Sequence, residues 1–364
     1  MRIGRDFFNW VVKDLEVSTP GRICLFGEHQ DYLGLPVIAM AISLRSNLKG
    51  EKRSDQKVVV HKLDLKQSET FFLDDLSYKK PRDYFKSGIK VCQNEGITFS
   101  NGFECDVTSE IPIRAGTSSS SSISVTWINF LSQMADEPPH WDQKKIGELA
   151  YKTEVEEFNE PGGMMDQFST AIGNLIYLES EPTLSIKTLN PNLGAFVLGD
   201  SCEPKDTMEI LSRCRETRLE LFEVLKNMNP NLNIHTCGDE LDLSDVNEDQ
   251  KTLFHGTVQN RDLLNGALAE LEKDEIDHNK IGQYLTKHHS VLRDVLQVST
   301  SKIESMMDAA QNAGALGGKI NGSGGGGCMF AYAPENPEPV AEAIESVGGK
   351  SYIIHSDEGT KVLI

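Results

Sequence analysis

The stretch "PGRICLFGEHQDYLGLPVIAMAI", residues 20–42, contains two apolar runs, and between them Arg22, Glu28, His29 and Asp31 fall close together. A strand that only had to fill a sheet would not be interrupted this way. Each ionisable group drawn into an apolar setting must find a partner, because a buried unpaired charge is costly. The cluster therefore reads either as a solvated turn between strands or as a group of side chains gathered for chemistry. Neighbouring sequence decides between the two.

At 364 residues the chain is too long for one small core, and two domains are expected, 1–200 and 201–364. A hydrophobic fraction of 38% with 25% charged residues fits a globular protein. The net charge of −19 argues against nucleic acid, whose phosphates need a basic footprint. Small anions remain possible ligands, since backbone N–H groups and a few local cations can hold them. Seven cysteines are scattered without C-x-x-C or metal-ligand spacing, as expected of free thiols in a reducing compartment. No stretch reaches the roughly 18–20 apolar residues of a membrane span, and "MRIGRDFFNWVVKDLEVS" at the start shows no cleavage-like segment. A cytoplasmic protein, monomeric or weakly dimeric and without membrane association, is expected.

Patterning adds a coarse map. "VVVHKLDL" (58–65) and "GFECDVTSEI" (102–111) alternate as half-buried strands do, and helices are predicted over 122–135 and 141–158. "NLIYLES" and "LGAFVLGDS" read as strands. From about 205 to 313 the pattern is helical, interrupted by an acidic surface connection at 237–250. "CMFAYA" and "SYIIHS" are predicted strands around a helix at 337–347.

Three tracts carry possible chemistry. "IPIRAGTSSSSSIS" (111–124) turns through proline and glycine into an apolar helix. A helix start has unpaired N–H groups and partial positive charge, so Gly116, Thr117, Ser118, Ser119, Ser120 and Ser121 are candidate ligands for the phosphates of ATP. A serine hydroxyl there could also reach Mg²⁺. The plainer alternative is a serine-rich linker or simple N-cap. "GALGGKINGSGGGGCMFAY" (314–332) has more glycine than a helix-to-strand turn needs. Close backbone approach makes Gly322, Gly324 and Gly325 further nucleotide candidates, with a flexible loop as the alternative. In "EVEEFNEPGGMMDQFST" (154–170), Asp166 follows a Pro-Gly-Gly turn and Glu154 precedes it by twelve residues. Their plainer readings are a helix N-cap and a solvated helix face. Together the tracts supply two phosphate-compatible loops, a carboxylate to handle a hydroxyl proton and a second for a metal, which are the needs of phosphoryl transfer. The P-loop G-x-x-x-x-G-K-[ST] and the protein-kinase motifs are absent.

In this order the tracts resemble the galactokinase/homoserine kinase/mevalonate kinase/phosphomevalonate kinase (GHMP) superfamily. "PGRICLFGEHQDY" is similar to the galactokinase pattern G-R-x-N-x-x-G-E-H-x-D-Y, "IPIRAGTSSSSS" to the phosphate loop P-x-x-x-G-L-S-S-S, "KINGSGGGGC" to the glycine-rich motif and "PGGMMDQF" to the segment bearing the catalytic aspartate. The resemblance implies an α+β fold of two domains, the first like ribosomal protein S5 domain 2 and the second ferredoxin-like, with the site between them. It implies that Glu28, His29, Asp31 and Gly163 bind a sugar and that Asp166 and Arg22 act at its anomeric hydroxyl. Ser120 and Glu154 become the expected Mg²⁺ ligands. The implied activity is a galactokinase-like, ATP-dependent sugar 1-kinase.

Three departures bear on the substrate. Cys24 stands where galactokinases carry asparagine, "LGLPVIAMAI" is similar to the mevalonate-kinase continuation, and 198–218 lacks the galactokinase arginine-histidine start and sugar-contacting tyrosine. Asp31 points the other way, since mevalonate kinases have apolar residues there and a carboxylate facing a less hydroxylated substrate would go unpaired. Galactose or a related uronic acid or amino sugar is the expected acceptor. The alternatives are a mevalonate-kinase-like enzyme and a non-catalytic, galactokinase-like sugar sensor.

Overall fold

The computed structural model describes residues 15–113, 115–204, 207–238 and 240–363. The opening segment read as lacking a leader lies largely outside them, as do Arg114 and Asp206. Two sheets organise the chain. The first is built on a long antiparallel pair, β1 (Leu15–Phe26) and β2 (Val37–Lys52). It extends through β5 (Phe103–Ser109), β3 (Lys57–Lys62) and β4 (Gln67–Phe72), and β6 (Leu175–Glu179) with β7 (Ser185–Leu189) branches from the start of β2. β3 and β5 run parallel, whereas the other pairs are antiparallel. In β5, Phe103, Cys105 and Val107 point inward while Glu104 and Asp106 do not, the period of two expected of a one-faced strand.

Helices α1 (Tyr84–Asn94), α2 (Ser119–Met134) and α3 (Gln143–Glu154) cover that inner face. Phe85, Phe103, Trp127 and Phe130 form its aromatic centre, with Trp127 stacked on Phe130 at 5.6 Å. Each such buried side chain contributes about 1.5–3 kcal/mol of transfer free energy. Two predicted elements are shorter than expected. β3 ends at Lys62 in a tight turn over Leu63–Leu65, closed by Lys66 at φ 51°. The predicted helix 141–158 stops at Glu154 and gives way to a turn at Glu156–Phe158, closed by left-handed Asn159.

The second sheet has the order β11 (Lys350–Ile354), β8 (Phe196–Asp200), β10 (Cys328–Tyr332), β9 (Gly317–Ile320). A division at residue 200 therefore cuts too late, since β8 pairs with β10 and β11. The chain also returns at its end, where β12 (Lys361–Val362) pairs with β1 in the first sheet. Helices α8 (Ser301–Asn312) and α9 (Pro337–Ser346) pack on one face of the second sheet. On the other side, α6 (Glu248–Leu271) and α7 (His278–Ser290) sit in a core shared with Ile23, Phe26, Ile38 and Met40 of the first sheet. One apolar core thus joins the two halves. The acidic connection is more than a surface link, because Cys237 and Val246 are buried against Leu221 and Phe254. Among the described residues, no helix is long and apolar enough to cross a membrane.

Candidate active site

A cavity of about 430 Å³ opens where α2, α3 and the short helix α4 (Met165–Ile172) meet the loops after β1 and β9. Arg22 lies on its floor, on β1 next to a register shift at Pro20/Gly21. A Cβ at Gly21 would sit 2.9 Å from the Thr117 carbonyl oxygen, and the Arg22 N–H donates to that same oxygen at 3.2 Å. The serine loop is thereby held flat against β1. The Arg22 guanidinium donates to Asp166 Oδ1 from Nε at 2.9 Å and from Nη2 at 2.6 Å, and from Nη1 to the Gly116 carbonyl. Burial opposes the Arg22 charge, but the Asp166 and Glu28 carboxylates outweigh it and raise its pKa. Asp166 occupies the first turn of α4 rather than its N-cap, which is Met164, so its carboxylate is free to face the cavity.

The serine loop reaches α2 through Gly116 at φ 90° and Ser118 at φ 58°. Among the described residues no side chain caps α2, and the buried Ser118 hydroxyl has no partner. The first turn therefore presents its amides, with Ser118 to Ser121, to the cavity. Thr117 does not reach it; its buried hydroxyl donates to the Pro112 carbonyl at 3.5 Å. Glu154 is no solvated helix face. It is buried, accepts from Gln167 Nε2 at 2.7 Å and faces the Ser120 and Ser121 hydroxyls. Burial raises its pKa, and those hydrogen bonds oppose the rise. Among the described residues no salt bridge reaches Glu154, though its charge is felt by Arg82, so a buried carboxylate stands beside a serine hydroxyl without a directly bonded counter-charge. A hard cation taking the rest of its oxygen ligands from phosphates and water fits such a pair.

The acceptor side is built from the turn after β1. Asp31 Oδ1 accepts from Tyr32 N–H at 3.0 Å, and a Cβ at Gly163 would meet Asp31 Oδ2 at 2.0 Å. Only glycine lets the two approach this closely. Burial, then the nearby Asp166, pushes the Asp31 pKa up to about 6. Glu28 and His29 differ from expectation. Glu28 Oε2 is paired with Lys319 Nζ at 2.8 Å, both side chains fully buried. His29 has Nδ1 3.0 Å from Tyr32 Oη and Nε2 3.0 Å from the Ser323 carbonyl oxygen. Both residues line the cavity, but these contacts tie them to protein groups.

The glycine tract contributes unevenly. Gly322 packs on Gly116, where a Cβ would come within 2.8 Å of its backbone, and it lines the cavity with Ser323. Gly324 and Gly325 instead pack on Val298 and Ile210, away from the lining. Sequence reasoning missed Lys319, whose Nζ also donates to the Cys24 carbonyl at 2.8 Å. It also missed Asn321, which accepts from Cys24 N–H at 2.9 Å and donates to the Gly116 carbonyl at 2.8 Å. A lysine and an asparagine inside an apolar strand-and-turn segment were the available signal, since buried polar groups need partners. Arg82, bonded to Glu160 Oε2 at 2.7 Å, was missed as well. It lines both this cavity and an adjoining apolar one of about 190 Å³, bordered by Phe85, Trp127, Ser119 and Ser120.

Residues 83–174 match the model for the GHMP kinases N terminal domain, and 267–352 that for GHMP kinases C terminal. The chain belongs to the GHMP kinase family. Residues 10–48 also match the galactokinase galactose-binding signature. A mevalonate kinase of Thermococcus gammatolerans is 30% identical over 95% of this chain and 97% of its own. A galactokinase of Actinobacillus succinogenes is 26% identical over 93% and 89%. Among solved structures, Lactococcus lactis galactokinase complexed with galactose superposes with a TM-score of 0.80 at 24% identity, covering 98% of this chain and 97% of that one. The two-domain α+β fold is thus that of the family, whose members are ATP-dependent phosphotransferases.

Proposed function

We propose that this GHMP kinase transfers the γ-phosphoryl group of ATP to the anomeric hydroxyl of galactose or a closely related sugar. The observation that carries the reading is Asp31: a carboxylate held against Gly163, in the same cavity as the Arg22–Asp166 pair, and in no salt bridge of its own among the described residues. Hydroxyl groups of a sugar would satisfy it, because a charged acceptor forms strong bonds with O–H donors.

The rest of the cavity fits this assignment. The adjoining apolar cavity suits a nucleobase, and Ser118 to Ser121 at the start of α2 suit the phosphates. Ser120 and Glu154 would hold Mg²⁺, which would supply charge neutralisation at the phosphates. Arg22 places both its bonds to Asp166 on Oδ1, so Oδ2 is left to orient the acceptor hydroxyl and receive its proton. Arg22 itself stabilises negative charge gathering on the transferred group.

A mevalonate-type acceptor is the second reading. Arg215 of α5 (Thr207–Met228) favours it. Its Nε is buried without a partner on the helix that presents Leu211 to the cavity, a setting that suits a carboxylate. ADP release from MgATP, measured with galactose, N-acetylgalactosamine, galacturonate and mevalonate beside the Asp166→Asn variant, separates the readings. Turnover of a sugar, abolished in the variant, supports the proposal. Turnover of mevalonate alone refutes it, and binding of a sugar without turnover would leave a sensor.

A further inference from the structure

Tyr32 connects three parts of the molecule. It belongs to the short turn Asp31–Leu33, its hydroxyl is bonded by Arg218 Nη2 from α5, and it lies 3.0 Å from His29 Nδ1. The other His29 nitrogen faces the Ser323 carbonyl oxygen in the glycine-rich loop. The hydrogen positions follow from the chemistry. A carbonyl oxygen can only accept, so His29 Nε2 carries a hydrogen. A guanidinium can only donate, so the Tyr32 hydroxyl accepts from Arg218, and its own hydrogen is available to a His29 Nδ1 that carries none. Arg218 is 1% exposed, lies 5.2 Å from the Tyr32 ring and donates from Nε to the Cys214 carbonyl at 2.9 Å. Among the described residues no carboxylate forms a salt bridge with it. A guanidinium buried without a counter-ion is expensive, and among the described residues its side-chain partner is Tyr32.

We propose that Arg218 and Tyr32 are positioning residues, which lock the Asp31 turn to the glycine-rich loop so that acceptor recognition depends on α5. Asp31 is fixed from both sides: its Oδ1 by the Tyr32 amide and its Oδ2 against Gly163. Losing the Tyr32 hydroxyl contacts loosens the turn that carries it, while the start of α2, where the phosphates would sit, has a separate support in Arg22, whose guanidinium and amide hold the Gly116 and Thr117 carbonyls. The kinetic consequence rests on the kinase reading above; the coupling of the two loops does not.

Tyr32→Phe keeps the ring and removes the hydroxyl. With galactose and MgATP, the acceptor KM rises by about tenfold while kcat and the ATP KM stay within about threefold. Arg218→Met gives the same pattern, and the double variant costs no more than the worse single one, because both break one chain. Hydrogen exchange supplies the acceptor-independent arm: in Tyr32→Phe, amides of 28–34 and 322–325 exchange faster together, with α2 unchanged and melting within about 2 °C of wild type. Faster exchange at 28–34 alone, or additive costs in the double variant, overturns the proposal. If none of galactose, N-acetylgalactosamine, galacturonate and mevalonate turns over, the acceptor assignment fails and the exchange result still decides the coupling.

Discussion

Replacing Gly163 with alanine isolates the contact that shapes the acceptor side. The new Cβ would lie 2.0 Å from Asp31 Oδ2, 2.4 Å from its Cγ and 3.0 Å from its Cβ. Gly163 is absent from the positive-φ glycines, so the substitution adds no backbone strain and acts by collision alone. Restoring an ordinary carbon–oxygen contact requires moving the carboxylate by about 1.4 Å. Tyr32 N–H and the packed turn resist that movement. A carboxylate displaced this far loses one charge-assisted hydrogen bond to the acceptor, about 1.5–3 kcal/mol, or about 10- to 150-fold in acceptor kcat/KM. The neighbouring Gly162 provides the control, since a Cβ there meets only Val155 Cγ2 at 3.8 Å. Gly162→Ala should leave acceptor kinetics within about threefold. The assay is steady-state ADP release at varied acceptor with saturating MgATP. Equal kinetics for the two alanine variants would refute the placement of Asp31 against Gly163.

Other expectations concern the remaining charged groups. Asp166→Asn lowers kcat by about 10²–10⁴-fold with little change in acceptor KM, as removal of a proton acceptor does; initial rates check it. Glu154→Gln raises the Mg²⁺ concentration for half-maximal rate by about tenfold or more, read from a Mg²⁺ titration at fixed ATP. Asp31, with its pKa raised from 3.8 to about 6 by burial and by Asp166, penalises the folded state once it ionises. Its contribution to stability is full below about pH 4 and is lost as pH rises through about 6, so Asp31→Asn gains on the order of 2 kcal/mol at pH 8 and nothing near pH 4 in urea melts. In the wild type the acceptor KM rises as pH falls below about 6, and Asp31→Asn flattens that profile at a high KM.

The parts of the site legible in the sequence are those whose function needs a local pattern. The start of α2 announces itself because small residues before an apolar helix leave amides exposed, and Asp166 because a Pro-Gly-Gly turn aims it. Half-buried strands such as β5 alternate visibly. What escaped depends on partners distant in the chain. Glu28 looked available for a substrate because its cation, Lys319, is 291 residues away. Arg218 stands among Arg213, Arg215 and Glu216 in a stretch whose pattern says only that it is helical, yet the fold buries it against Tyr32. β8 sits in the second sheet because its partners, β10 and β11, follow a long helical insertion that no local period encodes. Thr117, Gly324 and Gly325 carry the right residue types in the right tracts, but each spends its position on packing the loop rather than lining the cavity.

Of the five carboxylates that line the cavity, Glu160 is paired with Arg82; the other four, Glu28, Asp31, Glu154 and Asp166, would repel one another if all stood alone. They do not stand alike. Lys319 answers Glu28 from the second sheet, and Arg22 answers Asp166 from β1, so two charges are satisfied before any ligand arrives. Those two pairs also pin the loop after β1 and the start of α4 in place. Among the described residues Glu154 has hydroxyl and amide donors alone, and Asp31 has a single amide. These are the two groups whose pKa values burial raises, which means that the empty cavity leaves them destabilised as anions. Each gains from a ligand that brings what the protein withholds: a cation at Glu154, hydroxyl donors at Asp31. The Asp166–Arg22 pair lines the same cavity, already compensated and oriented. On the proposed reading the two unsatisfied carboxylates are those that would take up ligands, while Asp166, already paired, would act in the transfer and Glu28 holds the loop after β1 in place. The unsatisfied state of Asp31 also accounts for the expected trade in Asp31→Asn, where stability gained at high pH is the measure of binding energy held back for the acceptor.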